Sequence, residues 1–555
     1  MEKIWQASYP PNIPYEINLN EYTSIVDLFE KSCKQFAHNT AYINYGIKLS
    51  YNDLRQYSNQ FALFLIQELD LKFGSRVALM MPNILQYPIA LFGALSAGLV
   101  VVNINPLYTA AEVTQQLIDS EAETIIVLAN FAKTVQQALP NTPIKHVIIT
   151  RPGDLFPVLR RWMFNLSSRS CIHIPQQIAF RTCLQQSYRD QDLPSVNQQH
   201  LAFLQYTGGT TGESKAAMLS HGNILANILQ AYAWLQQLSI DATDIVVTAL
   251  PLYHIFSLTA NCLLFIKIGA QNILITDPRN VNRFIKEIKH SRFNMLTGVN
   301  TLFNALLNNP QFLKVDFSHV KLILSGGMKL QQSTALRWQN MTKTKIFEAY
   351  GLTEASPAVA INPFNLTAAY NGSIGLPLPS TDISIRDDAN QEVEINRPGE
   401  LCVKGPQVMQ GYWGKESETA LAFTADEFLK TGDIVQIDSQ GYLYLVDRKK
   451  DIIIVSGFNV YPNEVEAIVN LHPGVKEVIV IGIPSTLTGE SVKAYIVRQD
   501  PNLTEQQIIT HCKLHLTGYK IPKLIEFYSE LPKTTIGKLL RRKLNFSKEF
   551  EKIHD

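Results

Sequence analysis

Neither sign of charge is in excess in this sequence: 49 Lys and Arg stand against 48 Asp and Glu, a formal net charge of +1 over 555 residues. That balance supplies no global field for a polyanion and argues against nucleic acid as a partner. Cysteine is sparse and unpatterned. The six, at 33, 171, 183, 262, 402 and 512, form no C-x-x-C pair and no group with histidine at zinc spacing. Reduced, mostly structural thiols are expected, not a disulfide framework or a zinc centre. The opening stretch "MEKIWQASYPPNIPYEI" lacks the charged start, apolar core and small-residue cleavage site of a secretory signal, so a cytoplasmic location is the expectation. Unbroken apolar runs of membrane-spanning length are also missing. No charge occurs between Arg76 and Glu112, but Pro82, Asn83, Pro88, Gly98, Asn103 and Pro106 interrupt that stretch, which reads better as helix and strand than as a span.

What is present is apolar. Hydrophobic residues make up 46% and charged residues 17%, the latter below the roughly 25% of an average domain. The chain therefore buries much apolar surface, or meets some, and its length suggests about three or four folding units. Leu85 to Ala97 has the length of a helix, Gly98 suits its C-terminal cap, and Leu99 to Val102 reads as a short buried strand. Cys262 to Ile275 repeats this syntax with Gly269 as the break. Units of helix, glycine and buried strand predict an α/β fold of parallel sheets covered by helices on both faces. The charged cluster "DRKKD" at 447–451 reads as a hinge, dividing the chain into 1–447 and a small carboxyl-terminal domain, 448–555. A membrane contact is suggested by "RPGDLFPVLRRWMFNLSSR" at 151–169, where Arg160 and Arg161 sit among Leu, Trp, Met and Phe. Basic and aromatic residues together suit an interfacial helix; an ordinary surface helix packed on its own domain fits as well.

Several stretches carry chemistry. "TGGTTGESK" at 207–215 follows an apolar run, and its glycines allow the backbone N–H groups to close around an anion. It does not fit the spacing G-x-x-x-x-G-K-[ST], because Glu213 follows Gly212 and Ala216 follows Lys215, so phosphate loop and plain turn both stay open. "PLYHIFSL" at 251–258 sets His254 among apolar residues, where a core histidine is the ordinary reading. "LSGGMKL" offers Gly326 and Gly327 at a strand end, where a ring or phosphate can approach the backbone. "YGLTE" at 350–354 combines an aromatic face, a hydroxyl and a carboxylate, or is a helix cap at Thr353. "LKTGDI" places Asp433 after a glycine turn, able to accept from a ribose or to form an Asx turn. "LPKTTIGKLLRR" at 531–542 carries Lys538 after a glycine near the carboxyl end.

In this order the motifs resemble the adenylate-forming superfamily of acyl-CoA synthetases, luciferases and peptide-synthetase adenylation domains. Within it the chain looks most like the bacterial long-chain fatty acyl-CoA synthetases, through "RVALMMPN", "VVNINPLYT", "LQYTGGTTG", "GELCVKGPQVMQGYW", "SGFNVYPNEVE" and the signature-like segment 426–450. The resemblance covers nearly the whole chain. It implies a large amino-terminal domain with a small β-barrel-like subdomain, and a mobile α+β carboxyl-terminal domain. It also implies ATP, Mg2+ and coenzyme A, with a fatty acid adenylated and then passed to the thiol. By the same resemblance Tyr206, Thr207, Gly208, Gly209, Thr210, Thr211, Gly212 and Lys215 surround the phosphates, and Glu354 holds magnesium. Gly326, Gly327 and Tyr350 lie at adenine, Thr353 at the α-phosphate, and Asp433 with Arg448 at the ribose. Lys538 serves adenylation, Lys450 is the hinge, Gly457 completes the coenzyme A channel, and His254 lies where an apolar acyl tunnel meets the carboxylate. A peripheral contact with the inner membrane and a homodimer are further expectations. The sequence departs from the pattern at Ala216 and Ala349, where glycine is usual, and at Asp426, Glu427 and Phe428, in place of Asn-Gly-Trp. An acyl-AMP ligase serving a carrier protein and a fatty-acid binding or uptake protein are the rival readings.

Overall fold

A computed structural model describes residues 2–167, 174–185, 193–207, 214–368, 370–533, 540, 541 and 544. The chain forms two compact units. The larger comprises Trp5–Asp382 and Lys404–Phe423, and the smaller Met1–Ile4, Ile383–Val403 and Thr424–Asp555.

Two broad sheets build the larger unit. One has seven strands in the order Ile178–Ala179, His146–Thr150, Thr124–Leu128, Arg76–Met80, Val100–Asn103, Leu201–Thr207 and Lys215–Ser220. All its neighbours run parallel except the last two, which form an antiparallel pair. The other has nine strands, and its central run, Ile346–Gly351, Leu322–Ser325, Met295–Gly298, Ile245–Thr248, Gln271–Leu274 and Thr40–Asn44, is parallel throughout.

The local sequence explains these elements. Strands such as Val100–Asn103, Thr124–Leu128 and Leu322–Ser325 are buried at every position, as parallel strands covered on both faces must be. The expected helix is present at Gln86–Ser96 and is buried along its whole length. Gly98 follows with φ +71°, the left-handed value that glycine adopts without a Cβ clash. The repeat of this syntax holds: Gly269 ends the helix Leu264–Ile268 in the left-handed region, before the strand Gln271–Leu274. Helices start on reciprocal caps, as at Ser50 with Asp53, Thr109 with Glu112 and Ser220 with Asn223. Each pair satisfies two backbone donors that a helix start leaves open.

A core of Phe303, Phe312 and Trp338 packs beneath the nine-stranded sheet, with ring centroids 5.0–5.3 Å apart between the tryptophan and each phenylalanine. The five described cysteines are buried thiols. Among the described residues no helix is long and apolar enough to cross a membrane.

The smaller unit holds a four-stranded sheet, ordered Asp382–Arg386, Gly399–Lys404, Leu429–Ile437 and Leu443–Arg448. It also holds a five-stranded sheet centred on the long antiparallel pair Val475–Ser485 and Gly489–Arg498. Helices Pro462–Asn470 and Glu505–Lys513 contribute Val465, Val469, Ile508 and Cys512 to its core.

Two outcomes test this packing. A Cβ on Gly351 would overlap the Pro357 carbonyl oxygen, whereas Gly327 has open space but φ +75°. Gly351→Ala should cost about 1–3 kcal/mol or more, because backbone must move, and Gly327→Ala about 1 kcal/mol from the left-handed conformation alone; denaturant midpoints would compare them. Burial pushes the Glu348 carboxyl up to about 7, while the Leu330 N–H at 2.9 Å partly offsets the shift. Since the folded value is the higher one, its stabilising contribution is complete below the unfolded carboxylate range and is lost as pH rises to about 7. Stability measured from pH 4 to 8 should fall less in Glu348→Gln than in the unmodified protein.

Candidate active site

Parallel pairing brings the candidate residues of the larger unit together. Loops leaving Ile245–Thr248, Leu322–Ser325 and Ile346–Gly351 all emerge at the carboxyl edge of one sheet, where open α/β sheets bind ligands. His254 follows the first strand, Gly326 and Gly327 the second, and Tyr350, Thr353 and Glu354 lie at the end of the third. The three loops touch: a Cβ at Gly326 would meet the Phe256 ring at 3.0 Å and the Ala349 carbonyl oxygen at 3.3 Å. Gly326 therefore has room for backbone only, and the neighbouring Gly327 opens into free space.

His254 is half-buried, and its Nδ1 accepts from the Phe256 N–H at 3.4 Å at the start of a short helical turn. The strand before it is followed by a loop pinned from two directions. Asn83 donates to the carbonyls of Thr248 and Leu250 and accepts from the Leu252 N–H at 2.8 Å. Tyr87 donates to the Leu252 carbonyl at 2.9 Å, and Gln205 donates to that of Tyr253 at 2.9 Å. Asn83 and Gln205 lie inside stretches that the motifs already single out, but nothing in a sequence says that their amides reach a loop 165 or more and 48 residues away.

The residues on either side of the Gly/Thr loop are tied to each other. Thr207 pairs with Lys215 across the antiparallel strands, and the Ser214 hydroxyl donates to the Thr207 carbonyl at 2.8 Å. Tyr206 directs its hydroxyl to Asp119 at 2.6 Å, and burial followed by that carboxylate raises its pKa far above the ordinary phenol value. This hydroxyl is committed to the scaffold. Gly208, Gly209, Thr210, Thr211, Gly212 and, in the smaller unit, Lys538 lie outside the described residues.

Lys215 and Glu354 are joined through Tyr412. The Tyr412 hydroxyl donates to Glu354 Oε1 at 2.9 Å, while the Lys215 ammonium lies 5.2 Å from the centre of the same ring. Burial, and then the Glu354 charge, hold the Tyr412 proton on well beyond ordinary pH, so it is a permanent donor. The chain around Tyr412 is fixed to both sides. Met218 and Trp413 donate to Gly411 and Ala216, and Met409 donates to the Glu354 carbonyl at 2.8 Å. Ala216, one departure from the usual glycine, is fully buried in this arrangement. Tyr412 belongs to the motif "QGYW", where an aromatic residue directly after a glycine is the one signal of a special position and nothing assigns it a role. Glu354 is a half-buried oxygen donor of the kind Mg2+ takes alongside phosphate oxygens and water, and the carboxylate fits that metal. Tyr350 is largely buried, at 8% exposure. Thr353 opens a 3-10 turn without acting as its side-chain cap.

Other candidates belong to the smaller unit. Asp433 and Arg448 face each other across paired strands, with Nε 3.3 Å from Oδ1. Lys450 is exposed in the turn Lys449–Asp451. Gly457 turns the hairpin between Ile453–Val455 and Phe458–Val460 with φ +83° and open space beside it. The departure at Asp426 makes a bidentate pair with Arg386, at 2.9 and 2.6 Å, and Arg386 also lies over the Phe428 ring at 5.1 Å. The guanidinium holds the Asp426 carboxyl well below the usual range.

Residues 29–413 match the AMP-binding enzyme family, and residues 464–538 match the AMP-binding enzyme C-terminal domain. The chain is similar to a long-chain-fatty-acid–CoA ligase of Escherichia coli O6:H1, 50% identical over 551 residues and 98% of each chain. Among solved structures it resembles ATP-bound MatB from Rhodopseudomonas palustris, at 26% identity and TM-score 0.82, covering 95% of this chain and 99% of that one. It also resembles o-succinylbenzoate CoA synthetase from Bacillus subtilis in complex with the acyl-adenylate OSB-AMP, at 25% identity and TM-score 0.77, covering 95% and 98%. The matched models, the full-length likeness and the shared fold together show that this chain belongs to the family of AMP-binding enzymes.

Proposed function

We propose that the protein activates long-chain fatty acids with ATP, forming acyl-AMP and pyrophosphate, and then transfers the acyl group to coenzyme A with release of AMP. The observation that carries the reading is the assembly of Gly326, Tyr350, Glu354, Tyr412 and Lys215 in one unit of a chain that matches an AMP-binding family. The long-chain acid and coenzyme A come from the names of full-length relatives at 49–50% identity.

Adenylation asks a carboxylate to approach a polyanion, so its barrier is mainly electrostatic. In this reading Lys215, with Thr207 and the loop Gly208, Gly209, Thr210, Thr211 and Gly212, receives the β- and γ-phosphates. Glu354, oriented by Tyr412, would hold Mg2+, which would supply charge neutralisation at the phosphates. Thr353 contacts the α-phosphate, Tyr350 and the Gly326-Gly327 backbone receive adenine, and Asp433 with Arg448 receives the ribose. Lys538 places one ammonium between the two anions that must meet. In this reading a hinge at 447/448, with Lys450 as pivot and lying inside the smaller compact unit, lets Lys538 withdraw and Gly457 approach for the thiol step, two poses of one hinge. His254 borders the carboxylate end of an apolar tunnel formed around 202–206, 253–264 and 297–307, where each buried methylene adds roughly 0.8 kcal/mol. A long acyl substrate partitions into lipid, so the reading includes peripheral contact with the inner membrane.

Pyrophosphate release with ATP, Mg2+ and acids of graded length, with and without coenzyme A, tests this function. Turnover that rises with coenzyme A and peaks at a long chain is the expected result. A burst ending near one equivalent regardless of coenzyme A would indicate an adenylate kept for another acceptor, and no release with any acid would leave a binding protein. Lys538→Ala should slow pyrophosphate release by about 100-fold or more while leaving transfer from supplied acyl-AMP nearly intact. Tyr412→Phe should raise the Mg2+ concentration for half-maximal activity by about 10-fold, since it removes a hydrogen bond that orients a metal-binding carboxylate; an unchanged Mg2+ profile would remove Tyr412 from that role.

A further inference from the structure

The helix Val158–Ser167 turns its apolar side outward. Val158, Leu159, Trp162 and Met163 are 70, 75, 64 and 60% exposed. At about 100° per residue these four positions fall in one arc of the helix. Phe164 lies opposite that arc and packs against Tyr45 and Phe156, with ring centroids at 5.3 and 4.9 Å. Arg160 and Arg161 fall on either side of Phe164, with Arg160 exposed and Arg161 half-buried. An ordinary surface helix buries its apolar stripe and exposes its charges; among the described side chains of this one, Phe164 packs inward while the stripe faces the surroundings.

We infer that this helix lies flat on an anionic lipid surface, its four apolar side chains entering the acyl boundary and its arginines meeting headgroup phosphates. The inference deepens the peripheral-contact part of the proposed function. Charge decides for lipid over an apolar protein partner. The Arg160 guanidinium reaches the turn at Tyr45 and Gly46, about 4.0 Å from where a Gly46 Cβ would stand. Arg283 stacks over the Tyr45 ring at 4.4 Å, but it is paired with Glu287, so the basic rim is that of Arg160 and Arg161. Three acidic groups near this turn are engaged: Asp154 accepts from Thr150 and from the Arg151 N–H, Glu287 pairs with Arg283 at 3.2 Å, and Asp277 pairs with Arg279 at 3.6 Å. Tryptophan among aliphatic residues, bordered by arginine, is the composition of a helix that lies in a membrane interface.

Flotation of the full-length protein with vesicles of phosphatidylglycerol and phosphatidylethanolamine, and with vesicles of phosphatidylcholine alone, tests the surface. Two double variants are compared, Trp162→Ser with Met163→Ser, and Arg160→Glu with Arg161→Glu. The unmodified protein should float with the anionic vesicles and much less with the zwitterionic ones, and each variant should lose binding about 10-fold or more. Turnover of a short, water-soluble acid should be the same in all three proteins, which separates lost docking from lost folding. Equal flotation of the variants, or equal binding to both vesicle types, would overturn the inference. So would a dimer in sedimentation that the serine variant converts to monomer, because the stripe would then be an interface between two copies. If the unmodified protein floats but releases no pyrophosphate with any acid, the proposed chemistry fails and the docking surface stands.

Discussion

Parallel strand pairing is the constraint from which the rest of the larger unit follows. Two parallel neighbours cannot be joined by a short turn, so each connection crosses a face of the sheet, and both faces become interior. That demand accounts for the low share of charge and for a helix, Gln86–Ser96, with no exposed position. Within each parallel run it also sends the loops that follow the strands to the same edge. His254, Gly326 and Glu354, spread over a hundred positions, follow strands that point the same way and so lie at one edge of the sheet. The close approach of Phe256, Gly326 and the Ala349 carbonyl is a local result of that global rule.

Elements that depend on short-range physics were legible in the sequence. Gly98 and Gly269 stop helices because an L-residue is strained at the φ values they adopt, and the strands after them read as buried because their runs carry no charge. The order of the motifs was likewise enough to identify the family. Contacts made by polar side chains across long separations were not legible. Asn83 holds the His254 loop through an amide that, in sequence, belongs to a strand end on the other side of the chain's first half. Tyr412 couples Lys215 and Glu354, which lie 197 and 58 positions before it, through one ring and one hydroxyl. Composition and periodicity report which face of an element is apolar; they do not report which hydrogen-bond donor completes a partner's geometry.

The departures from the family pattern divide by the same logic. Ala216 and Ala349 add a methyl where the backbone does the work, since Ala216 offers its carbonyl to Trp413 and Ala349 offers its carbonyl beside Gly326. Asp426 changes the local chemistry, because an acid that engages Arg386 through both oxygens stands where a neutral residue is usual, whereas Phe428 keeps an aromatic ring beside the guanidinium. Both changes are absorbed by partners within the same unit, so the fold is preserved while the local charge pattern differs.

The larger unit is discontinuous along the chain. It stops at Asp382, resumes at Lys404 and ends at Phe423, with Ile383–Val403 assigned to the smaller unit in between. Tyr412 lies on that returning segment, and so do the backbone groups that pair with Met218 and Ala216. During synthesis, therefore, the two sheets can be complete while the ring that links Lys215 to Glu354 is still inside the ribosome. The cluster of Lys215, Tyr412 and Glu354 is finished only after part of the other unit has already emerged. A nascent chain halted near residue 400 would hold most of the scaffold and lack the tyrosine that joins its two charges, so the last tie between Lys215 and Glu354 is made by a segment that arrives after both sheets.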